Sequence, residues 1–460
     1  MSTGWSGRSI GRQSPHRKIS SDNLYNQLLI ILLNQFYPPD IAPTGVKLHD
    51  IAKCLVGHGH DVVVITSKGT YGGSKSFETD FIDKVRIIRL PAFNFGRRTY
   101  FGKILDYASF YLILFFKLWT FRPKPDAVVA LTTPPYLGIL TALLFGRHSD
   151  NLDHSNSQIS PGSQNHTRVV QWIMDLYPDV MKEHGMLGQS SLIYRSLEKI
   201  NRAMFMRSHA ILALGPSMID RISKYVECPL SKKQSNKGND HENFATVEKR
   251  PNMQWVPLWG DSDLKPLSNS ERHELRSKYG WKEDDCVLMH AGNLGFGVNT
   301  DEFLEAATRL GPSGPMWAFF GGGKRWAALQ QFAETHKEVR IELYDYAPKA
   351  ILGAADVHLV SLKSSWTGIG VPSKIQNIFS IGKPALFIGN MQCEIAQWIL
   401  ESGGGWVVRE DDIDGLLSAI DAANNPEERA RRGHAAYAFA EEYFNRAKNC
   451  ERIARFILQN

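Results

Sequence analysis

The stretch SLKSSWTGIGVPSKIQNIFSIGKPALFIG, from Ser361 to Gly389, decides the fold of this chain. The aliphatic run that leads into it, Val357 to Val360, is typical of a buried strand. That strand ends in a loop rich in glycine, and a short helix then runs to Gly382. Pro384 opens another strand, Ala385 to Ile388. The pattern is therefore strand, glycine loop, helix and strand.

The junction between that loop and that helix suits a phosphate group. Gly370, Pro372 and Ser373 precede the helix, with Ser373 at the N-cap position, so unpaired backbone N–H groups point at one spot. Lys374 adds a full positive charge one residue into the helix. An ordinary βαβ connection with a glycine turn has the same spacing, and the spacing alone leaves both interpretations open.

The composition is that of a globular chain large enough for two domains. The chain has 460 residues, of which 43% are hydrophobic and 22% charged. A net charge of +6 is too weak to argue for nucleic acid, and we expect no such partner. The five cysteines are scattered and form no CxxC pair. We therefore expect a reducing cytosol, with neither a disulfide framework nor a metal site.

The first domain opens with a β–α–β unit. It consists of a buried strand from Leu28 to Leu33, a helix from Val46 to Val56 and a second strand from Val62 to Ile65. Such units begin doubly wound parallel sheets, which bind ligands at the carboxyl ends of their strands. The segment after the first strand is therefore predicted to be a ligand-facing loop. Its candidate acceptor-side residues are Thr44, Gly45 and Lys47.

A further candidate follows a later strand of the same sheet. Asp175 stands at the carboxyl end of the predicted strand Val169 to Met174, and acids at such positions often face the ligand cleft. Asp179 and His184 come shortly after it. Asp175 could instead cap a turn or a helix, because its side chain suits that role as well.

A basic and aromatic segment, Phe95 to Lys124, joins two strands of the first domain. Its apolar run, Tyr107 to Phe116, spans about ten residues and is too short to cross a bilayer. Lysines and arginines flank its aromatic side chains, as in helices that lie in an anionic membrane interface. We expect contact with a membrane surface, and the alternative is a crossover helix that packs on the core.

The second half of the chain again alternates predicted strands with loops and helices. The strand Cys286 to Ala291 ends in GNLGFG, whose glycines permit close backbone approach. The next strand ends in a second glycine turn, at residues 319–329. With the stretch 361–389, three glycine loops meet at one edge of a sheet. The predicted fold class is α/β, with two doubly wound Rossmann-like domains that face each other across a cleft.

The chain divides into segments of different character. The first of them is polar and basic without an apolar centre, which predicts a disordered tail and no secretory signal. The last begins with Asn425 as N-cap and Pro426 in the first turn, which predicts a helix. The predicted segments are the tail at 1–22, a first domain at 23–262 with exposed insertions at 148–167 and 231–252, a second domain at 263–425, and a helix at 426–460 that packs back on the first domain.

A set of segments, with the spacing between them, covers most of residues 25–455. The segments are QFYPPDIAPTGVKLHDIAKCLVGHGHDVVVIT, ALTTPPYLG, WIMDLYPDV, LWGDSDLKP, HAGNLG, FFGGGK, DYAP, ADVHLVSLK and VPSKIQNIFSIGKPALFIG. In these segments the chain resembles bacterial family-4 glycosyltransferases of the GT-B fold, close to the branch that makes exopolysaccharides such as colanic acid. The tail and the two insertions fall outside the resemblance.

The resemblance implies a hexosyl-type transferase that moves a sugar from a nucleotide-sugar donor to an acceptor hydroxyl. It implies retention of anomeric configuration and no requirement for a metal or a cofactor. Family members of this kind commonly act on lipid-linked or glycan acceptors at the inner face of the cytoplasmic membrane. The implied location is therefore cytoplasmic, in peripheral contact with that membrane, which agrees with the segment Phe95–Lys124.

The chain departs from the family pattern at the donor site. Relatives usually carry two glutamates where this chain has Ile369 and Asn377, which leaves the ribose contact unassigned. Glu394, in the turn after the next strand, is the substitute we expect. The arginine and lysine that many relatives place in the Gly292 loop are absent as well. The catalytic-domain histidine of many relatives falls near Met174–Asp175 in this chain.

The expected mechanism is electrostatic. As the nucleoside diphosphate leaves, Lys374 and the helix N-terminus stabilise the negative charge that grows on the phosphate. Asp175 orients the acceptor or the sugar, and Thr44 and Gly45 lie against the acceptor or the diphosphate. The expected catalytic residues are Asp175 and Lys374. The expected donor-binding residues are Gly292, Asn293, Gly295, Gly322, Lys324, Gly370, Pro372, Ser373, Lys374 and Glu394.

Two alternatives remain at this stage. A sugar-nucleotide 2-epimerase of the same fold has the same cleft, but it needs several acids and histidines there, and only Asp175, Asp179 and His184 are predicted nearby. A catalytically silent membrane-associated scaffold is suggested by the missing glutamate pair. An epimerase changes the donor sugar without an acceptor, and a scaffold with an eroded pocket binds no nucleoside diphosphate.

Overall fold

The computed structural model describes residues 27–40, 42–68, 80–91, 100–147, 166–227 and 250–459. The predicted tail lies outside these residues, and so do 148–165 and 228–249, which make up most of the two predicted insertions. Residues 95–99 of the predicted membrane-contact segment, and the side chains of residues 100–104, are outside as well.

Within the described ranges, the first domain is built on an eight-stranded sheet. Its strands are β1 (Leu29–Leu33), β2 (Asp61–Ser67), β3 (Phe81–Ile82), β4 (Val85–Leu90), β5 (Ala127–Leu131), β6 (Arg168–Trp172), β7 (Ala210–Ala213) and β8 (Asn252–Trp255). The order is β3-β4-β2-β1-β5-β6-β7-β8, and every pair is parallel except β3 with β4. In β1, Ile30 and Leu32 belong to one core layer and Ile31 and Leu33 to the other. A strand buried on both faces is apolar throughout, which explains the sequence LIILL.

Helices cover both faces of this sheet. They are α1 (Pro43–Gly57), α2 (Tyr100–Trp119), α3 (Gly138–Phe145), α4 (Asp179–Glu183), α5 (Leu192–Arg207) and α6 (Pro216–Val226). On one face, α1 buries Leu48, Ile51 and Leu55. On the other, α2 buries its apolar positions Phe110 and Leu114. Spacings of three and four residues place these side chains on one side of each helix.

The second domain has a parallel sheet that comprises six strands of the described chain. They are β9 (Val287–Ala291), β10 (Met316–Phe320), β11 (Ile341–Tyr344), β12 (Val357–Leu362), β13 (Ala385–Gly389) and β14 (Gly405–Val408), in the order β11-β10-β9-β12-β13-β14. The helices of this domain are α7 (Asn269–Lys278), α8 (Asp301–Leu310), α9 (Trp326–Thr335), α10 (Lys374–Ser380), α11 (Glu394–Ser402) and α12 (Ile413–Asn424).

The carboxyl edges of the two sheets face each other. Leu176, just beyond β6, donates its backbone N–H to the Ile369 carbonyl of the second domain at 2.7 Å. A β-bridge pairs Asp175 with Gly370 at the same point. The domains therefore meet across a cleft at the ends of the strands, where α/β sheets bind ligands. The predicted boundary at residue 262 lies in the linker between β8 and α7.

The region predicted as one helix, 426–460, is two helices with different partners. These are α13 (Pro426–Tyr443) and α14 (Arg446–Leu458). Asn425 caps α13 as predicted, because its side chain accepts from two backbone N–H groups of the first turn. However, α13 packs on the second domain, and only α14 contributes to the core of the first. The chain breaks at Asn445, whose side chain accepts from Lys448 N–H and starts the second helix.

Candidate functional site

Two glycine loops of the second domain interlock at the carboxyl edge of its sheet. Because β9 and β10 are parallel neighbours, the loops after them lie side by side. Gly321 has a φ of 134°, and a side chain there would come within 2.4 Å of the Gly292 carbonyl oxygen. Leu294 donates its N–H to the Gly322 carbonyl at 2.7 Å. Glycine is thus required for this backbone-to-backbone packing, which forms a rigid ledge.

Lys374 lies against this ledge. It is the first residue of α10, and a side chain on Gly292 would come within 2.8 Å of its Cε atom. Its Nζ atom is 2.9 Å from Nε2 of His290, the penultimate residue of β9. Since an ammonium can only donate, the imidazole accepts at Nε2 and carries its proton on Nδ1. The sequence analysis quoted His290 only as part of HAGNLG and assigned it no role.

Burial shapes the charges of this pair. It lowers the pKa of Lys374 to about 7, although solvent still reaches part of the side chain. His290 is 1% exposed, and burial, followed by the neighbouring ammonium, lowers its pKa well below the ordinary value. The imidazole is therefore neutral at physiological pH. A bound anion would raise the pKa of Lys374, because it favours the charged form.

The start of α10 contributes less than the pattern predicted. Ser373 occupies the N-cap position, but its side chain makes no capping hydrogen bond. The helix has seven residues, so its dipole is small. Lys374 therefore supplies most of the positive charge at this point, and the backbone N–H groups around Gly370 and Pro372 supply the remaining donors.

Asp175 lies at the floor of the cleft opposite this region. Its backbone N–H donates to Thr132 Oγ1 at 3.2 Å, and a side chain on Gly370 would come within 2.9 Å of its Oδ1 atom. Solvent reaches the Asp175 side chain through the cleft, yet protein atoms from both domains crowd its carboxyl. This desolvation raises the pKa of Asp175 to about 6. The carboxylate faces Gly370 in the loop after β12, and no described helix or turn is capped by it.

The acceptor-side candidates lie across a cavity from the second domain. The cavity measures ≈ 270 Å³, and its lining includes Thr44, Lys47 and Asp175 from the first domain and Ser373 and Asn377 from the second. The prediction that Thr44 and Gly45 belong to a loop is wrong. They form the first turn of α1, because Pro43 at the first helical position suits the helix start.

Gly45 and Lys47 hold α1 in place. A side chain on Gly45 would come within 2.8 Å of the Phe36 carbonyl oxygen, so the helix approaches the preceding segment closely. The Lys47 ammonium is 5% exposed and donates to the Trp259 carbonyl at 2.8 Å and to Asp261 Oδ1 at 3.2 Å. Lys47 thereby joins the first domain to the linker.

The two positions that lack the family glutamates are structural. Asn377 accepts the backbone N–H of Asp261 at 2.9 Å and so connects α10 to the linker. Ile369 is fully buried. Glu394 is 2% exposed, and its carboxylate accepts from Ser217 and from the Met218 N–H at the start of α6. This carboxylate is engaged between the domains, and its contact with a ribose stays a prediction.

The remaining donor-side candidates lie on the exposed rim of the ledge. The side chains of Asn293 and Lys324 are exposed, and Lys324 follows Gly323 at the turn into α9. Gly295 and Gly322 are half-buried in the two interlocked loops. Asn293 also packs beside Gly323, where a side chain would come within 2.3 Å of its Oδ1 atom.

One further cluster combines metal-ligating side chain types in the described part of the chain. It consists of Cys54, His58 and Glu451, far from the cleft at the contact between α1 and α14. His58 Nε2 is 2.8 Å from Glu451 Oε2, and Arg455 donates to the other carboxylate oxygen at 2.7 Å. Both oxygens of the carboxylate thus have hydrogen-bonding partners, and the cluster is a polar network between two helices.

Comparisons with known proteins agree with this two-domain fold. No protein-family model matches the chain. WcaI of Escherichia coli (strain K12), named for glycosyl transfer in colanic acid biosynthesis, is 22% identical over 400 residues, which cover 84% of this chain and 89% of WcaI. WbjE of Pseudomonas aeruginosa, named as a glycosyltransferase, is 24% identical over 259 residues, which cover 55% of this chain and 59% of WbjE.

Solved structures share the two-domain architecture. WaaG, a glycosyltransferase involved in lipopolysaccharide biosynthesis, has a TM-score of 0.61 at 19% identity, covering 94% of this chain and 100% of WaaG. HepE from Anabaena, solved in complex with UDP-glucose, has a TM-score of 0.61 at 14% identity, covering 94% of this chain and 100% of HepE. The chain therefore has the GT-B fold, and the curated relatives that it matches are named as glycosyltransferases. They confirm the predicted resemblance and fold, and they do not favour the epimerase or scaffold alternatives.

Proposed function

We propose that the protein transfers a hexosyl group from a nucleotide-sugar donor to a glycan or lipid-linked acceptor in exopolysaccharide or cell-surface glycan synthesis. The observation that carries this proposal is the half-buried Lys374, which lies on a ledge of interlocked glycine loops beside the point where Gly370 meets Asp175 of the first domain. A cation beside backbone amides at such a point suits a diphosphate. The named relatives act in colanic acid and lipopolysaccharide synthesis, and HepE binds UDP-glucose.

The donor diphosphate binds between the ledge and the start of α10. Lys374 and the N–H groups around Gly370, Pro372 and Ser373 contact it, with Lys324 available on the rim. The loops that contain Gly292, Asn293, Gly295 and Gly322 support the nucleotide. Glu394 is retained as the proposed ribose contact, reached if donor binding draws it away from α6.

The reaction is driven by stabilisation of the leaving group. Negative charge grows on the diphosphate as its bond to the anomeric carbon breaks, and Lys374 stabilises that charge more strongly in the transition state than in the ground state. Configuration at the anomeric carbon is retained, and no metal is needed because Lys374 provides the compensating charge. Asp175 aligns the acceptor or the sugar, and Thr44 and Gly45 border the acceptor side of the cavity.

Two of the three groups predicted for epimerisation are engaged in other contacts. Asp179 is committed to Arg221 and to the Tyr225 hydroxyl. The His184 ring packs edge-on between Phe296 and Trp366, at centroid distances of 5.4 and 5.1 Å. Of the three groups predicted for an epimerase, Asp175 alone lines the cavity.

Donor binding and turnover test the proposed function directly. We expect one of UDP, GDP, ADP or dTDP to raise the melting temperature. At a concentration of 100 Kd the ligand adds about 2.7 kcal/mol to the free energy of unfolding. The matching nucleotide-sugar should release its diphosphate rapidly only when a polyprenyl-linked glycan acceptor is added, and EDTA should leave the rate unchanged. NMR of the product should show the donor's anomeric configuration. Conversion of the donor sugar without acceptor, or no response to any nucleotide, contradicts the proposal.

We also propose that the protein is cytoplasmic and contacts the inner face of the cytoplasmic membrane through α2. No helix in the described part of the chain is long and apolar enough to cross a membrane. Yet α2 exposes an apolar stripe, Leu105, Leu112, Phe116 and Trp119, opposite its buried face. Arg122 and Lys124 are exposed just beyond the stripe, which gives it the charge that anionic lipids attract.

Neighbouring helices extend this apolar surface. α3 packs against both α2 and α5, and Leu143 on α3 is 54% exposed. At the start of α5, Leu192 and Ile193 are 80% and 62% exposed. These exposed aliphatic side chains lie on helices that pack against one another, and we propose that they belong to the same interaction surface.

The double substitution of Phe116 and Trp119 by glutamate tests this contact. We expect binding to vesicles with 30% phosphatidylglycerol to weaken about tenfold or more, since burial of one such side chain contributes roughly 1.5–3 kcal/mol. Phe81→Glu is the matched control, because Phe81 is 63% exposed on a different edge of the domain. Equal sedimentation of wild type, double variant and control with the vesicles contradicts the contact.

A further inference from the structure

The loop that faces Asp175 is held by the first domain. We call residues 364–370, which follow β12, the donor-side loop. Its Ile369 carbonyl accepts from Leu176 N–H, and its Gly370 meets Asp175. A side chain on Gly368 would come within 2.4 Å of the Ser217 carbonyl oxygen on α6. The loop therefore rests directly on the backbone of the first domain.

Arg221 on α6 makes most of the side-chain contacts across this interface. Its Nε donates to the Thr367 carbonyl at 2.6 Å, and its Nη2 donates to the Ser365 carbonyl at 2.9 Å. The two carbonyls flank Trp366, which packs on Gly297 of the ledge. One guanidinium from the first domain thus fixes the backbone of the loop on both sides of a side chain that contacts the second domain.

The Arg221 guanidinium is also held by Asp179 of the first domain. Its Nη1 is 3.0 Å from Asp179 Oδ1, and the Tyr225 hydroxyl donates to the other oxygen of Asp179 at 2.5 Å. Asp179 begins α4, only four residues beyond Asp175. The chain of contacts runs from Tyr225 through Asp179 and Arg221 to the donor-side loop. A planar fork of donors is needed for this arrangement, and lysine does not reproduce it.

We propose that Arg221 is a positioning residue for glycosyl transfer, which sets the donor-side loop at the distance where Gly370 and the amides beside it face Asp175. The inference rests on the proposed function, since it assigns the loop to the donor. The Leu176–Ile369 hydrogen bond anchors one end of the loop, and Arg221 fixes the part around Trp366, so both set how a group bound to the loop is presented to Asp175. A displacement of about 1 Å at this point costs on the order of 10²-fold in rate.

The Arg221→Lys variant tests this role. We expect kcat to fall about tenfold to hundredfold, while calorimetry gives a nucleoside diphosphate affinity within about threefold of wild type, because Lys374 is intact. Arg207→Lys is the matched control. Arg207, the last residue of α5, donates from Nε to the Ala142 carbonyl at 3.0 Å, and its described contacts include neither the donor-side loop nor Asp179 or Tyr225.

Hydrogen–deuterium exchange of the peptide that contains residues 364–371 supplies a readout independent of activity. The amides of Trp366, Thr367 and Ile369 bond to carbonyls of residues 363–366, and we expect their exchange to accelerate in Arg221→Lys and not in Arg207→Lys. Unchanged exchange, or a kcat within about twofold of wild type, overturns the proposal. If the wild type transfers no sugar at all, the proposed function fails while the exchange result still decides whether Arg221 holds the loop.

Discussion

The Lys374→Met variant is expected to turn over about 10² to 10³ times more slowly than the wild type while remaining folded. Methionine keeps the unbranched stem that packs beside Gly292, but it removes the charge that opposes the departing diphosphate. His290 loses its hydrogen-bond donor, and because this imidazole is 1% exposed we expect the melting temperature to fall somewhat while the variant remains folded. The measurement is kcat at saturating donor, together with the melting temperature.

A second lysine of the same domain provides the control. Lys383 is half-buried near Asp356 and lies just before β13, at the amino end of the strand. Burial lowers the pKa of Lys383 to about 8. Lys383→Met should change the melting temperature and leave kcat within about twofold of wild type. If Lys374→Met retains wild-type kcat while Lys383→Met behaves as expected, the cation at the ledge has no part in the chemistry.

The same lysine predicts a pH dependence. A lysine with a lowered pKa loses its proton as the pH rises, so in the free protein Lys374 becomes neutral above about pH 7. We expect kcat/KM, which reports the free enzyme, to decline on the alkaline side of pH 7. A bound diphosphate raises the pKa of Lys374, so the decline in kcat should begin at higher pH. Coincident alkaline limbs in the two profiles contradict this assignment.

The sequence was informative where its signal is local. A strand buried on both faces has to be a continuous apolar run, so β1, β9 and β12 could be found from composition alone. Glycines that permit backbone contact stand at fixed places after such strands, which is why the ledge around Gly292 and Gly321 could be predicted. The parallel order of the strands then brings the loops together.

The sequence was uninformative where a partner lies far along the chain. Lys374 meets His290, Lys47 meets Asp261, and Arg221 meets the loop at Ser365, each across 84 or more residues. No periodicity links such residues, because their proximity follows from the packing of two domains and not from local conformation. The single helix predicted at 426–460 was wrong for a different reason, since Asn445 is a local N-cap signal that the prediction did not use.

Asp175→Asn is expected to lower kcat about 10²-fold without a loss of donor affinity. The amide has the shape of the carboxyl and fits beside Gly370, so the interface between the domains is preserved. It lacks the negative charge that accepts strongly from a sugar or acceptor hydroxyl, and alignment of the two substrates suffers. Asp126→Asn is the control, because the Asp126 carboxylate accepts from Leu29 N–H at the opposite edge of the same sheet.

The pH profile separates this role of Asp175 from a purely structural one. Desolvation raises the pKa of Asp175 to about 6, so the carboxylate is lost as the pH falls through that value. The wild type should therefore lose activity between pH 7 and pH 5, and this acid limb should be absent from Asp175→Asn. A structural carboxyl would give a variant with a lower melting temperature and an unchanged acid limb. Because Asp175 touches Gly370 from the other domain, an acid limb that disappears with this substitution would also place the reacting hydroxyl between the two sheets.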